Sequence, residues 1–255
     1  MFRRFDSALV RLVPVAVAVA LLAPAVQAQN PPLPAAKDII ARYVKAIGGE
    51  PAYKAIKSIR IRGQLSLAAQ GLTGDIEIIA ARPARMRQKV TIAPIGTIEQ
   101  GFDGKNGWSL NPLAGASLQT GRELAETKDD ATFDGQLFGP DLIKEMTVEG
   151  RQTFEGAEAY KMKMVFHSGS IQSTYFDINT GLLLGYEGER ATPQGVIPTT
   201  HIVRDWKKFG TLLQPSVIVE RGMQLESAMT VTSMEFDNVK DSEFDPPAEV
   251  KALIK

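Results

Sequence analysis

A chain of 255 residues with 29 Lys and Arg against 29 Asp and Glu has a formal net charge of zero, so it offers no field for gathering polyanions, and nucleic acid is not an expected partner. Cysteine is absent, which excludes disulfide staples, thiol chemistry and an acylated N-terminal cysteine; stability has to come from a core. His167 and His201 are the only histidines, and neither has a second ligand at metal-binding spacing, so no metal and no cofactor are expected.

Arg3, Arg4 and Arg11 precede or open an apolar run over residues 12–26, and Ala-Val-Gln-Ala follows, ending at Ala28. A basic start, a short apolar stretch and small residues before a cut are the pattern of a secretory signal peptide. The run falls short of the roughly 20 residues that cross a bilayer, and it contains Pro14 and Pro24. Cleavage is expected after Ala28, giving a periplasmic product that is soluble and carries no lipid anchor. Residues 29–36 read as a Pro-rich flexible leader, and residues 37–255 as a single domain without an internal linker.

Within that domain, Ile40, Tyr43, Val44 and Ile47 fall on one face of a helix that Gly48-Gly49 stops, and Pro51 opens a second short helix reaching Ile56. Strand periodicity follows: Ile59, Ile61, Leu65 and Leu67 alternate with Arg60, Arg62, Gln64 and Ser66, and Ile76, Ile78, Val90 and Ile92 continue the pattern. Residues 121–139 lack alternation and read as a helical insertion. Tyr160, Met162, Met164 and Phe166 alternate with Lys161 and Lys163, and later strands pass through Tyr175-Phe176, Leu182, Val203, Leu212 and Leu225. Met229 and Val231 share one parity while Met234 and Phe236 take the other, which places a β-bulge near Thr232-Ser233. Tight hairpins are expected at Asp103-Gly104, Glu155-Gly156 and Asp177 to Gly181, where Gly, Asn and Asp supply positive φ. Roughly eleven antiparallel strands with one apolar face must close or be lidded to hide that face from water. The expected fold is therefore mainly β with covering helices: a curved sheet forming an open, incomplete β-barrel under a helical lid.

Four groups of residues, in this order, resemble the LolA/LolB-like superfamily of periplasmic lipoprotein carriers. They are Gly71 to Ile78 leading into Arg82-Pro83; Asp103-Gly104 followed by Trp108 and Asn111-Pro112; Tyr175-Phe176-Asp177 to Gly181-Leu182; and Phe244 with Pro246-Pro247. The resemblance implies a lipid or lipoprotein cargo, donor and acceptor proteins at the membranes, only transient membrane contact, and a monomer. It also implies that Arg82 sits at the cavity edge and holds the lid by bonding helix backbone. Physical chemistry agrees, since an arginine beside an apolar cavity must have its donors met and helix C-terminal carbonyls are natural acceptors. The cavity lining is then expected to include Ile61, Leu65, Leu67, Ile76, Ile78, Val90, Ile92, Trp108, Met162, Met164, Phe166, Met229 and Val231. Trp108 reads equally as a hairpin packing residue, and Met162 and Met164 equally as ordinary core.

Catalytic patterns are missing: there is no Gly-x-Ser-x-Gly elbow, no phosphate loop and no dinucleotide fingerprint, so an enzyme is not expected. Asp129, Asp130 and Asp134 form the densest acidic group and read as a solvated helix face, and both histidines read as surface or strand-end residues. Two other readings stay open, an envelope protein-binding or structural module with a filled interior and, further off, a hydrolase with an unrecognised site.

Overall fold

Helix α1 (Ala36–Ala46) buries Ile39, Ile40 and Tyr43, and Ile47 just past its end is wholly covered. The helix stops where expected, because Gly48 and Gly49 adopt φ of 122° and 89°, which a side chain rarely tolerates. A Cβ at Gly48 would also stand 2.9 Å from the Thr211 carbonyl oxygen. The computed structural model describes residues 32–254 except 194 and 224; the cleavage point expected after Ala28 and residues 29–31 of the leader lie outside it. Residues 32–35 have no regular structure, and α1 begins one residue inside the stretch expected as leader. Helix α2 (Glu50–Lys54) carries Pro51 in its first turn.

Thirteen strands follow, two more than the roughly eleven expected. The first six are β1 (Ser58–Leu67), β2 (Leu72–Ala81), β3 (Arg85–Ile92), β4 (Gly96–Phe102), β5 (Gly107–Asn111) and β6 (Gly115–Leu118). Helix α3 (Gly121–Ala131) and a 3₁₀ turn (Phe133–Leu137) make the insertion. The remainder are β7 (Ile143–Phe154), β8 (Ala157–Phe166), β9 (Ile171–Asp177), β10 (Leu183–Thr192), β11 (Gly195–Phe209), β12 (Leu212–Gly222) and β13 (Leu225–Phe236). The undercount has a simple cause. β6 and β7 are the two edges of the sheet, and β5 and β6, five and four residues long, are too short to show a period in sequence.

All neighbours in the sheet are antiparallel, in the order β6-β5-β4-β3-β2-β1-β13-β12-β11-β10-β9-β8-β7. Two meanders are thus joined where β1 meets β13, and the sheet curls without closing. The bulge falls where the parity switch put it: Arg62 opposes Ser233 and Gly63 opposes Val231, leaving Thr232 as the extra residue. The hairpins form as their sequences require. Asp103 and Asp177 each accept two backbone N–H bonds across their turns, with Gly104 and Gly181 at positive φ.

Each face of the sheet is apolar somewhere. On the concave side α1 packs with Met162, Met164, Phe166 and Phe176, while Ile76, Val90, Ile92, Met229 and Val231 form a second cluster around β1 to β3 and β13. On the convex side Phe244 packs on Ile79 and Ala81, and Glu243 beside it bonds Arg60 at 2.6 Å. The closing helix α4 (Ala248–Lys251) lies against β5 and β6.

Candidate functional site: a lidded cavity with an apolar and a polar end

Arg82, one residue beyond β2, joins three elements. Its Nε donates to the Ile56 carbonyl at 2.7 Å and its Nη2 to the Tyr53 carbonyl at 3.2 Å, which also accepts the Ile56 N–H, so both bonds fall at the C-terminal end of α2. Its Nη1 pairs with Asp134 of the 3₁₀ turn at 2.6 Å, and the guanidinium lies 4.7 Å above the Phe133 ring. Neighbouring bonds follow the same path: Phe133 N donates to the Pro83 carbonyl at 3.0 Å, and buried Tyr53 Oη donates to the Phe133 carbonyl at 3.2 Å. Burial pushes the Tyr53 hydroxyl well above the ordinary phenol range, with Asp134 adding to the effect and Arg82 opposing it. Arg82, with the Phe133–Pro83 backbone bond and the Ala84–Thr132 bridge beside it, thereby fastens α2 and the 3₁₀ turn to the β2–β3 corner.

Beneath them lies a cavity of about 410 Å³. Its apolar end is formed by Ile59, Ile61, Ile78, Ala80 and Met86 of the sheet, and Tyr43, Phe133 and Phe138 line it from the helical side. At Asp205, where φ is 54°, β11 and β12 change the face they present. The paired Val203 and Ile218 and the paired Trp206 and Pro215 all consequently reach the cavity, although the two pairs are three residues apart.

No protein-family model matches the sequence, and no curated protein matches it. Solved structures do match. A LolA superfamily protein from Nitrosomonas europaea is similar over 84% of this chain and 99% of its own, with a TM-score of 0.56 and 11% identity. A DUF1329 family protein from Desulfovibrio piger aligns over 84% of this chain and 98% of its own, with a TM-score of 0.54 and 10% identity. The chain has a LolA-like fold. Among its described residues no helix is long and apolar enough to cross a membrane.

In this LolA-like barrel the expected lining residues separate into three places. Ile61, Ile78 and Phe166 line the cavity. Leu65, Leu67, Ile76, Val90, Ile92, Met229 and Val231 share its face but pack among themselves beside it, with Ile61 and Ile78 as the boundary. Met162 and Met164 are fully buried on that face, under α1. Trp108 is a correction. It pairs with Gly101, which pairs with Arg87, which pairs with Ile79, so all four stand on the convex face with Phe244 and away from the cavity. Gly101 leaves the space: a Cβ there would come within 2.8 Å of the indole.

Two polar expectations are also corrected. Asp129 and Asp130 line the cavity, Asp130 pairs with Arg190, and Asp134 pairs with Arg82, so the acidic group is not simply a solvated face. His201 is buried on β11 and lines the cavity, stacked on Tyr186 with ring centroids 4.5 Å apart; His167 is exposed, its Nε2 at 2.9 Å from the Pro140 carbonyl oxygen. Alternation could not reveal these roles, because Ile202 and Val203 are both apolar and hide the parity of His201.

Trp108→Phe checks the correction. The indole Nε1 has no hydrogen-bond partner, so losing it costs only packing, about 1 kcal/mol. Affinity for an apolar fluorescent probe should stay within about twofold, well under one hydrogen bond's worth. A large loss of affinity in the folded variant would return Trp108 to the cavity.

Proposed function

We propose that the chain is an exported carrier that shields hydrophobic cargo, an acyl chain of a lipoprotein or a free envelope lipid, in transit between membranes. The observation that carries this reading is the unfilled apolar cavity under helices that Arg82 clamps. A structural module with a filled interior has no use for such a space. Each methylene removed from water contributes about 0.8 kcal/mol, so a sixteen-carbon chain gains on the order of 10 kcal/mol before ordering costs. Capture therefore needs no nucleotide, and release needs lid opening and an acceptor. Donor and acceptor membrane proteins, a monomeric state and periplasmic residence after cleavage at Ala28 belong to the same proposal; the intact mass of the exported protein tests the cleavage.

The chain's two tryptophans report on opposite faces of the sheet, which makes the central test direct. A brominated lipid quenches only an indole it touches. Trp206, in the cavity wall, should be quenched, whereas in Trp206→Phe the remaining Trp108 emission should not change. Quenching of Trp108 and sparing of Trp206 would defeat the cavity as the binding place. Mass spectrometry of the protein taken from its own envelope should show lipid that extraction removes.

A further inference from the structure

We infer that the polar end of the cavity selects cargo by its head group, accepting an amphiphile whose head donates hydrogen bonds and is neutral or cationic, a hydroxyl or an amine, and disfavouring a carboxylate or phosphate. This rests on the cavity being a lipid site, as proposed above. Opposite the apolar end, Tyr186, Arg190 and His201 from β10 and β11 face Glu126, Asp129 and Asp130 from α3.

Most of these charges are already spoken for. Asp130 takes the Arg190 guanidinium at 2.5 Å. Glu126 accepts from Arg122 Nε at 2.7 Å and from the Ala191 backbone N–H at 2.7 Å. Two groups remain open. The buried Oδ2 of Asp129 has no hydrogen-bond partner, and burial raises this carboxyl's proton affinity with Ser168 opposing. His201 is 9% exposed, and among the described residues neither ring nitrogen has a hydrogen bond; Nε2 lies 3.8 Å from Glu220 Oε1, beyond hydrogen-bonding reach. Burial keeps this imidazole's proton affinity below its ordinary value, with Glu220 pulling the other way, and stacking on Tyr186 fixes the ring plane.

The unmet atoms are thus a carboxylate oxygen, which accepts, and a neutral imidazole, which accepts through one ring nitrogen and donates through the other. An anionic head would enter among three carboxylates with the Arg190 cation already paired, and like-charge repulsion disfavours it, reduced by the water that reaches the half-exposed Asp130–Arg190 pair. A hydroxyl or ammonium head satisfies Asp129 and offers a donor to His201, while its chain runs toward Ile61 and Ile78.

The test uses the delipidated full chain and displacement of a bound apolar fluorescent probe by ligands of one chain length: dodecylamine, monolauroylglycerol, laurate and dodecyl phosphate, each below its micelle concentration. The first two should displace at about tenfold lower concentration than the anions, the weight of one hydrogen bond to a charged group. Asp129→Asn and His201→Phe, the second keeping the stack on Tyr186, should each shrink that ratio, measured against the probe in the same variant. Laurate displacing as well as the amine, or a ratio unchanged in both folded variants, overturns head selection while the carrier reading survives. Failure of the probe and of all four ligands to bind overturns both.

Discussion

Arg82→Leu is expected to leave the barrel folded and free its lid. The substitution keeps an apolar stem against Phe133 and removes donors to the Ile56 and Tyr53 carbonyls and to Asp134. Asp134 is already short of a partner at Oδ1 and loses the guanidinium paired with it, although at 37% exposure it regains some water. The net loss should be about 2 kcal/mol, the scale of a charge-assisted hydrogen-bond set at a half-buried site. For a domain of this size that lowers Tm by about 4–8 °C. The cost should be local. Amide exchange should quicken in α1, α2 and the 3₁₀ turn at Phe133–Leu137 and stay slow in β8 and β9, where the pairing does not involve Arg82. Cargo transfer to an acceptor should speed up even where capture survives, because closure and not the cavity wall has been weakened. Arg82→Lys should recover only part of the effect, since an ammonium can hold Asp134 but cannot fork to both carbonyls. Unaltered helix exchange together with unaltered transfer would reduce Arg82 to a structural corner residue.

Ala80→Phe should abolish cargo binding with little or no loss of stability. Ala80 lines the cavity's apolar end, so a phenyl ring there occupies space the cargo needs and gains contacts the alanine lacks. Probe affinity is expected to fall by at least about tenfold, equivalent to the loss of a few buried methylenes, while Tm holds or rises. A fall in Tm would indicate overpacking and a narrower cavity than the one described. Ile78→Asp should also weaken binding, at some cost in stability because a carboxylate enters an apolar wall. Lys163→Asp, exposed on β8, is the control and should do neither. Met164→Asp probes the fold and not the cavity, for Met164 is fully buried beneath α1 and its replacement should cost more stability than any of these. Full probe affinity in folded Ala80→Phe would be incompatible with cargo in this cavity.

Much of the architecture was legible because it depends on local chemistry. Period-two alternation marks β1, β3 and β8 through side-chain sterics and solvent contrast alone, and Gly48-Gly49 must break a helix wherever it occurs. The parity switch between Val231 and Met234 located the Thr232 bulge, since a residue added to one strand reverses every side chain beyond it. Arg82 was legible as a residue in need of acceptors beside the covering helices, and its carbonyl partners lie there. What alternation cannot say is which side of a sheet becomes the inside. β2 is apolar on both faces, Ile76, Ile78 and Ala80 on one and Ile79 and Ala81 on the other, because the C-terminal segment brings Phe244 to its convex side. Trp108 follows that side through a register running across four strands. The polar end is less legible still: Asp130 meets Arg190 and Asp129 approaches the wall of β10 and β11 only when α3 spans the gap between the sheet's two edges. Side chains 60 or more residues apart, such as Asp130 and Arg190, carry no mark of one another in sequence, and their meeting is a consequence of how far the sheet curls.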